Sequence, residues 1–242
     1  MQIEIWSDVV CPWCHIGKRR LEAALALFPN RDAVEVHWRA FELDPTAVSA
    51  TAGEVPATGY VDRLAAKYGT SVQAGQQMID TMTAAAAAEG LDFRFDKAVR
   101  ANTFDAHQVI HLAGQRGVQD AVKERLLLAY FTEGEAVGDH EVLVRLATEA
   151  GLDAAEVREV LATQRYAAAV RADETEAGAV GITGVPFFVI DDRYAVSGAQ
   201  NPEVLLSALQ RAWTDAHPLV AVGAAGEGDA CGPDGCAGLN GP

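Results

Sequence analysis

The four residues Cys11, Pro12, Trp13 and Cys14 constrain the fold of this chain more than any other feature of its sequence. They lie between an apolar segment that predicts a first strand ending near residue 8 and a helical pattern that runs to about residue 28. Pro12 fits the first helical position, since it has no N–H to lose. The free N–H groups of a helix N-terminus favour a thiolate, and Cys14 follows one turn later. The spacing therefore predicts a redox site in which Cys11 attacks and Cys14 resolves the mixed disulfide.

The remaining two cysteines, Cys231 and Cys236, leave other interpretations open. Four thiolates could hold a structural zinc ion if the two pairs met in space. The first pair could also be two unreactive cysteines of the core. A strand followed by CPWC and a helix is the context that redox chemistry requires, and the second pair is far away in the sequence. We therefore favour the redox interpretation and expect no metal site.

Cys231 and Cys236 enclose a Gly-Pro-Asp-Gly sequence that suits a tight turn, so this pair can close into a disulfide. It belongs to the segment 214–242, whose composition predicts a flexible arm. About 18 residues separate Trp213 from Cys231, which gives a reach of roughly 20–25 Å. We hypothesise that this auxiliary redox pair exchanges electrons with Cys11 and Cys14. The alternative is a tail whose cysteines have no role.

Composition and charge exclude several classes of protein. The chain has 242 residues, 34 of them acidic and 19 basic, and the net charge of −15 argues against binding to nucleic acid or to an anionic membrane through bulk charge. The first residues lack the pattern of a secretory signal, and no segment approaches the roughly 20 apolar residues of a membrane span. We expect a cytoplasmic protein, in which a CxxC pair is more often redox-active or metal-binding than structural.

Hydrophobic periodicity predicts an α/β fold in which a long all-helical region separates the first strands from the last ones. A β-α-β unit opens the chain, with its second strand over 34–43. A strand over 187–190, its hairpin partner over 194–196 and a helix from Pro202 to about residue 213 close the fold. Between them, after a loop over 44–59, we predict only helices, the later ones over 103–116, 119–133, 139–150, 154–163 and 165–179.

These patterns divide the chain into three predicted parts. The first is a discontinuous domain made of residues 1–43 and 180–213. The second is an all-helical insertion domain over 44–179, and the third is the tail over 214–242 with its CxxxxC pair.

Val185 and Pro186 come directly before the late buried strand, where a cis X-Pro bond is a plausible special feature. CPWC after a first strand, together with this late Gly-Val-Pro, resembles the thioredoxin fold, in which a cis-proline loop faces the CxxC. The long helical insertion narrows the resemblance to the DsbA-like family. Residues 7–17, 41–45, 102–103 and 198–200 resemble its FrnE branch, and the likeness covers about residues 1–213.

The resemblance implies a thioredoxin-like fold and a thiol–disulfide oxidoreductase or isomerase acting on thiol- or disulfide-containing proteins. By the family pattern, Cys11 is the nucleophile, Cys14 the resolving thiol and Val185-Pro186 the substrate-facing loop. No tightly bound cofactor is implied beyond the redox-active disulfide, with glutathione as a possible co-substrate. The same superfamily contains glutathione-dependent 2-hydroxychromene-2-carboxylate isomerases, which carry Ser in place of Cys11. A glutathione-dependent isomerase or transferase acting on a small aromatic or polyketide substrate is therefore the first alternative, and a non-enzymatic holdase is the second.

Other residues near these motifs have two interpretations each. Trp13 is expected to shape the surface of the site. Asn102 faces the site by resemblance, or it only caps the next helix. Asp8 is either a proton acceptor for the thiol pair or an ordinary residue of the turn after the strand. His107 and His111 are spaced as a metal pair on one helix, but they lack a third ligand, so no metal is expected there.

Overall fold

The structure, a computed structural model, describes residues 1–51 and 58–218 in full, and the backbone of residues 231–232 and 235–236. A mixed sheet forms the centre of the fold, with strand order β2-β1-β3-β4. Its strands are β1 (Gln2–Ser7), β2 (Glu35–Ala40), β3 (Phe187–Ile190) and β4 (Tyr194–Ser197). Strand β1 is parallel to β2 and antiparallel to β3, and β3 and β4 form a hairpin. The predicted thioredoxin-like α/β architecture is confirmed.

The register of the sheet determines which loops meet at its edge. Ser7 pairs with Ala40 in β2, and Trp6 pairs with Phe187 at the start of β3. Because β3 runs antiparallel to β1, the segment that precedes Phe187 lies at the same edge as the segment that follows Ser7. Two loops far apart in sequence are thereby brought together.

Several helices pack on or near the sheet. Helix α1 (Pro12–Leu27) packs against α9 (Pro202–Ala216). Helix α8 (Ala167–Ala179) contacts β2, because the Asp173 carboxylate accepts a hydrogen bond of 2.8 Å from the Ala40 backbone N–H. Trp6 Nε1 also donates to the Asp173 carbonyl oxygen at 2.9 Å. The domain boundary at residue 180 stays a prediction, although α8 on its N-terminal side is joined directly to the sheet.

The remaining helices form the region between β2 and α8, and α4 contacts α5, α6, α7 and α8. They are α2 (Tyr60–Tyr68), α3 (Val72–Ala88), α4 (Phe104–Gln115), α5 (Gln119–Leu128), α6 (His140–Glu149) and α7 (Ala154–Thr163). Within the part of the chain that the structure describes, no helix is long and apolar enough to cross a membrane.

Helix α5 covers the outer edge of the sheet. The side-chain amide of Gln119 accepts a hydrogen bond of 2.9 Å from the Trp38 backbone N–H and donates one of 3.1 Å to the Trp38 carbonyl oxygen. Trp38 Nε1 donates to Asp120 at 3.1 Å. Gln119 therefore takes the place of a neighbouring strand, which protects this edge and fixes the position of α5.

Several predicted element boundaries need correction. Strand β2 ends at Ala40 rather than residue 43, because its strand neighbour β1 ends at Ser7. The helix predicted over 119–133 is an α-helix only to Leu128 and continues as a π-helical turn over Ala129–Glu133. The helix predicted over 165–179 begins at Ala167, and α9 continues to Ala216, three residues beyond the predicted end.

Most of the predicted tail lies outside the described residues. Two short strands, β5 (Cys231–Gly232) and β6 (Gly235–Cys236), pair antiparallel, with Cys231 opposite Cys236 in the backbone register.

Candidate active site

The first cysteine pair lies at the start of α1. Cys11 is the N-cap residue, with an extended backbone (φ −95°, ψ 113°), and Pro12 occupies the first helical position as predicted. The Cys14 backbone N–H donates to the Cys11 carbonyl oxygen at 3.1 Å, which closes the first turn. Both cysteines are free thiols. Cys11 is 3% exposed and Cys14 is fully buried, so only the first thiol lies near the surface.

The second part of the site is the loop before β3. The Val185-Pro186 peptide bond is cis, and the Cys11 thiol donates to the Val185 carbonyl oxygen at 3.5 Å. Val185 is half-buried and Pro186 is buried. The structure therefore brings together the thiol pair and this loop, 174 residues apart in the chain, as the resemblance to the thioredoxin fold implies.

Gly17 controls how closely α1 approaches this loop. A Cβ atom at position 17 would lie 2.9 Å from Pro186 Cγ, 3.4 Å from the Phe188 ring and 3.5 Å from Ala199 Cβ. The first of these distances is shorter than normal van der Waals contact allows. Gly17 is buried in the interior of α1, where glycine is otherwise unfavourable by about 1 kcal/mol relative to alanine. Its presence is explained by the close approach of Pro186.

Asp8 is fully buried at the end of β1. Its Oδ2 accepts a hydrogen bond of 2.8 Å from the Leu43 backbone N–H, and its Oδ1 lies 3.5 Å from His107 Nε2. Burial alone would raise the pKa of Asp8, but the contacts with His107 and Leu43 and the charge of Lys123 outweigh it and hold this pKa below its usual range. The carboxylate is therefore ionised at neutral pH, and it is better suited to holding a negative charge than to accepting a proton.

The second cysteine of the motif, Cys14, has unusual electrostatic surroundings. Burial raises the pKa of the Cys14 thiol well above its ordinary value, and the neighbouring Cys11 adds to this effect. The charge of Lys123 and the Asp8 backbone N–H act in the opposite direction. Burial therefore disfavours a Cys14 thiolate, whereas the charge of Lys123 favours it.

We expect Asp8→Asn to lower the free energy of unfolding at pH 7 by about 1–3 kcal/mol, since buried hydrogen bonds to a charged group are lost or weakened. Because the folded-state pKa of Asp8 is lowered, the carboxylate stabilises the fold above its unfolded-state pKa of about 3.9. That stabilisation is lost as the pH falls through the lower folded-state value. Urea unfolding of both proteins between pH 7 and pH 3 measures the difference.

The control for this prediction is Asp44→Asn, because Asp44 is an exposed carboxylate on the loop that follows β2. We expect it to change stability much less. A difference between wild type and Asp8→Asn that stays constant down to pH 3 would contradict the assignment of the charge to Asp8.

The other predicted residues are placed as follows. Pro12 is buried and Trp13 is half-buried beside the thiols. Asn102 Oδ1 accepts from the Phe104 backbone N–H at 3.0 Å and its Nδ2 donates to the Pro45 carbonyl oxygen at 3.1 Å, so its amide anchors the start of α4 to the loop after β2. Contact between Asn102 and a substrate stays a prediction.

His107 and His111 do not share a ligand. His107 lies against Asp8, whereas His111 Nε2 lies 2.9 Å from Asp173 Oδ2. Over residues 1–51 and 58–218, no group of three or more His, Cys, Asp or Glu side chains is arranged to hold a metal ion.

Two residues of the site were missed from the sequence. Gly17 had a usable signal, since a lone glycine inside a helical pattern often marks a close packing contact. Lys123 had a weaker one, a charged residue between the apolar positions Val122 and Leu126 of a predicted helix. That pattern is usually a lysine at the edge of an apolar face, and only the packing of α5 on the sheet makes this lysine fully buried.

Comparison with known families identifies the fold. The family model of the DSBA-like thioredoxin domain matches residues 2–210. The chain belongs to the DsbA-like thioredoxin family. The crystal structure of a probable DsbA oxidoreductase from Streptomyces coelicolor is 48% identical in sequence, with a TM-score of 0.82, and the likeness covers 99% of this chain and 100% of that one.

More distant solved structures share the fold alone. A 2-hydroxychromene-2-carboxylate isomerase is 15% identical with a TM-score of 0.64, and the match covers 91% of this chain and 100% of that one. The cytosolic disulfide reductase DsbM from Pseudomonas aeruginosa, solved with glutathione, is 18% identical with a TM-score of 0.60, covering 87% of this chain and 98% of that one. DsbA-like folds thus include both redox enzymes and an isomerase.

Proposed function

We propose that this protein is a thiol–disulfide oxidoreductase in which Cys11 is the nucleophile and Cys14 the resolving thiol. The observation that carries the proposal is the placement of the two thiols. Cys11 lies at the N-terminus of α1, 3.5 Å from the Val185 carbonyl oxygen, while Cys14 is buried one turn further on. Membership of the DsbA-like family supports the same reaction class.

In the reducing direction, the Cys11 thiolate attacks a substrate disulfide and one substrate sulfur leaves as a thiolate. Cys11 carries out the attack in this proposal because it is the N-cap residue of α1 and the more accessible of the two thiols. Cys14 then attacks Cys11, the second substrate sulfur leaves, and the enzyme holds a Cys11–Cys14 disulfide. In the oxidising direction the same steps run in reverse.

The substrate approaches along the Val185-Pro186 loop in this proposal. The loop lies beside the more accessible thiol, and its position is held by the sheet register and by the packing of Pro186 on Gly17. Trp13, which is half-buried and lies between the two cysteines in the chain, provides apolar surface beside them. Protein disulfides and glutathione are the substrates that fit such a site.

Reduction or isomerisation fits a cytoplasmic location better than net oxidation. Cytosolic glutathione poise is roughly −220 to −320 mV, so a site with a potential near −200 mV would be mostly reduced at equilibrium. The DsbA-like disulfide reductase DsbM is described as cytosolic and was solved with glutathione, which supports glutathione as a co-substrate here.

The auxiliary pair is part of the same proposal. The backbone register places Cys231 opposite Cys236, a pairing compatible with a disulfide between directly opposed residues. Electron exchange between this pair and Cys11–Cys14 stays a prediction.

Reduction of insulin disulfides, followed by turbidity with glutathione as the reductant, tests the proposed function. We expect wild type to accelerate the reaction well above the rate with glutathione alone, and Cys14→Ser to lose most of that acceleration with protein substrates. A glutathione-dependent isomerase would instead keep its activity on a small molecule in Cys14→Ser. A holdase would suppress aggregation without either cysteine. Failure of the wild-type protein to accelerate insulin reduction would refute the proposal.

A further inference from the structure

Lys123, on α5, is buried without a hydrogen-bonding partner. Its side chain is fully buried, and Nζ contacts no hydrogen-bond acceptor among the described residues. The ammonium lies 5.4 Å from the centroid of the Trp38 ring. An ammonium removed from water is costly unless it is paired, so an unpaired one in the core calls for an explanation.

A second buried lysine at the same interface provides the comparison. Lys18, on α1, is 3% exposed and forms ion pairs with Glu22, Asp120 and Glu124, the latter two at 3.1 Å from Nζ. Burial lowers the pKa of Lys18, but these carboxylates outweigh it and raise the pKa above its ordinary value. Lys18 thus forms structural ion pairs that join α1 to α5. Lys123, three residues from Asp120, forms no such pair among the described residues.

The groups that surround Lys123 belong to the thiol site. Helix α5 packs on α1 at this point, because Glu124, the residue after Lys123, lies 3.4 Å from Nε2 of His15, the residue after Cys14. The titratable groups that act on Lys123 are Cys14 and Cys11 at the start of α1, Asp8 after β1, and Lys18. Strand β2 contributes the neutral Trp38, and His107 of α4 lies behind Asp8. Burial lowers the pKa of Lys123, and Cys14 has the largest effect in the opposite direction.

Asp8 alone does not neutralise this ammonium. The Asp8 carboxylate is engaged by Leu43 and His107, and it forms no ion pair with Lys123. A negative charge that appears on the thiol pair during the reaction is the remaining partner. Asp8 is thus a counter-charge that is not in direct contact with Lys123, and a thiolate on the pair adds a second one.

We infer that Lys123, supplied by the helical region, stabilises the Cys14 thiolate during resolution of the mixed disulfide. This inference rests on the proposed thiol–disulfide exchange. In that step the Cys14 proton goes to water, a bond forms between the sulfurs of Cys14 and Cys11, and the bond from Cys11 to the substrate sulfur breaks. The substrate sulfur leaves as a thiolate with the electron pair of that bond, so no external oxidant or reductant is needed.

Replacement of Lys123 distinguishes a role of this lysine in the reaction from a role in stabilising the fold. If Lys123 stabilises the fold, its replacement should destabilise the protein. If Lys123 instead stabilises a thiolate, its replacement by Met should cost little or no stability. An apolar side chain of similar volume suits a buried site better than an unpaired charge.

The reaction of the reduced protein with 5,5′-dithiobis(2-nitrobenzoate) tests the inference. The reference protein, called wild type in this experiment, and every variant carry Cys231→Ser and Cys236→Ser, so that only Cys11 and Cys14 react. Cys11 releases a first thionitrobenzoate, and attack by Cys14 releases the second, whose rate is measured against pH in stopped flow. We expect Lys123→Met to slow the second release about tenfold at pH 7 and to move its pH midpoint up by about one unit, since a tenfold smaller thiolate fraction corresponds to that shift. The melting temperature should equal or exceed that of wild type.

Lys18→Met is the matched control. We expect it to lower the melting temperature and to leave the pH midpoint of the second release unchanged. Lys123→Gln repeats the test with a polar side chain. Superimposable pH profiles for wild type and Lys123→Met would overturn the inference, and so would failure of both Lys123 variants to fold, because that result would make the lysine structural. Absence of a second release in wild type would instead refute the proposed function itself.

Discussion

Cys11→Ser is expected to reduce insulin at the rate of the reductant alone. A serine hydroxyl does not attack a disulfide, because the reaction needs a thiolate at this position. Cys14 cannot take over the role, since it is fully buried and burial raises its pKa well above the ordinary value. We therefore expect a loss of at least about 10³-fold in turnover, in the range found when a catalytic nucleophile is removed.

The loss should be chemical rather than structural. The Cys11 thiol donates a weak hydrogen bond to the Val185 carbonyl oxygen, which a serine hydroxyl can also donate. The melting temperature of Cys11→Ser should therefore stay close to that of wild type. Retention of full activity in a folded Cys11→Ser protein would show that the nucleophile lies elsewhere.

Gly17→Val is expected to lower activity and stability by displacing the Val185-Pro186 loop. A Cβ atom at this position would already lie 2.9 Å from Pro186 Cγ, and the two methyl groups of valine need still more room. The loop must move away from α1, which changes the distance between the Cys11 sulfur and the Val185 carbonyl oxygen. Displacement of a reacting group by about 1 Å can cost about 100-fold in rate, and overpacking costs about 1–3 kcal/mol of stability. Insulin reduction and urea unfolding measure the two effects.

Gly178→Val is the control for helix propensity and bulk. Gly178 lies in the last turn of α8, is exposed, and has no atom within 4 Å of an added Cβ. Valine is a slightly better helix former than glycine, so we expect unchanged activity and a stability change of at most a few tenths of a kcal/mol. If Gly17→Val behaves like Gly178→Val, the close contact between Gly17 and Pro186 has no functional importance.

The parts of the site that depend on neighbouring residues in the chain were predictable from the sequence. CPWC directly after a strand predicts the helix start, with Pro12 in its first turn, and the structure agrees. The late Val185-Pro186 pair was also predictable, because a proline before a buried strand has few structural uses. Trp6 and Trp38 lie in the first two strands, where large apolar side chains favour the core, and they are 1% and 2% exposed.

The contacts between distant segments were not predictable. Asp8 had two interpretations of equal weight, since its burial depends on Leu43 and His107, which are 35 and about 100 residues away. Lys123 has a local sequence that is typical of a lysine on the surface of a helix. Its burial follows from the Gln119 side chain at the edge of β2, which brings α5 against the sheet. Such a contact has no signal within one segment of the chain.

The most direct test of the central claim is the position of a trapped mixed disulfide. Reduced Cys14→Ser protein is mixed with a disulfide-linked peptide, quenched with acid and digested, and the adduct is located by mass spectrometry. We predict a stable adduct on Cys11, because the buried resolving thiol is absent. An adduct confined to Cys231 or Cys236, or no adduct while Cys14→Ser still reduces insulin at the wild-type rate, would contradict the assignment of Cys11 as the nucleophile.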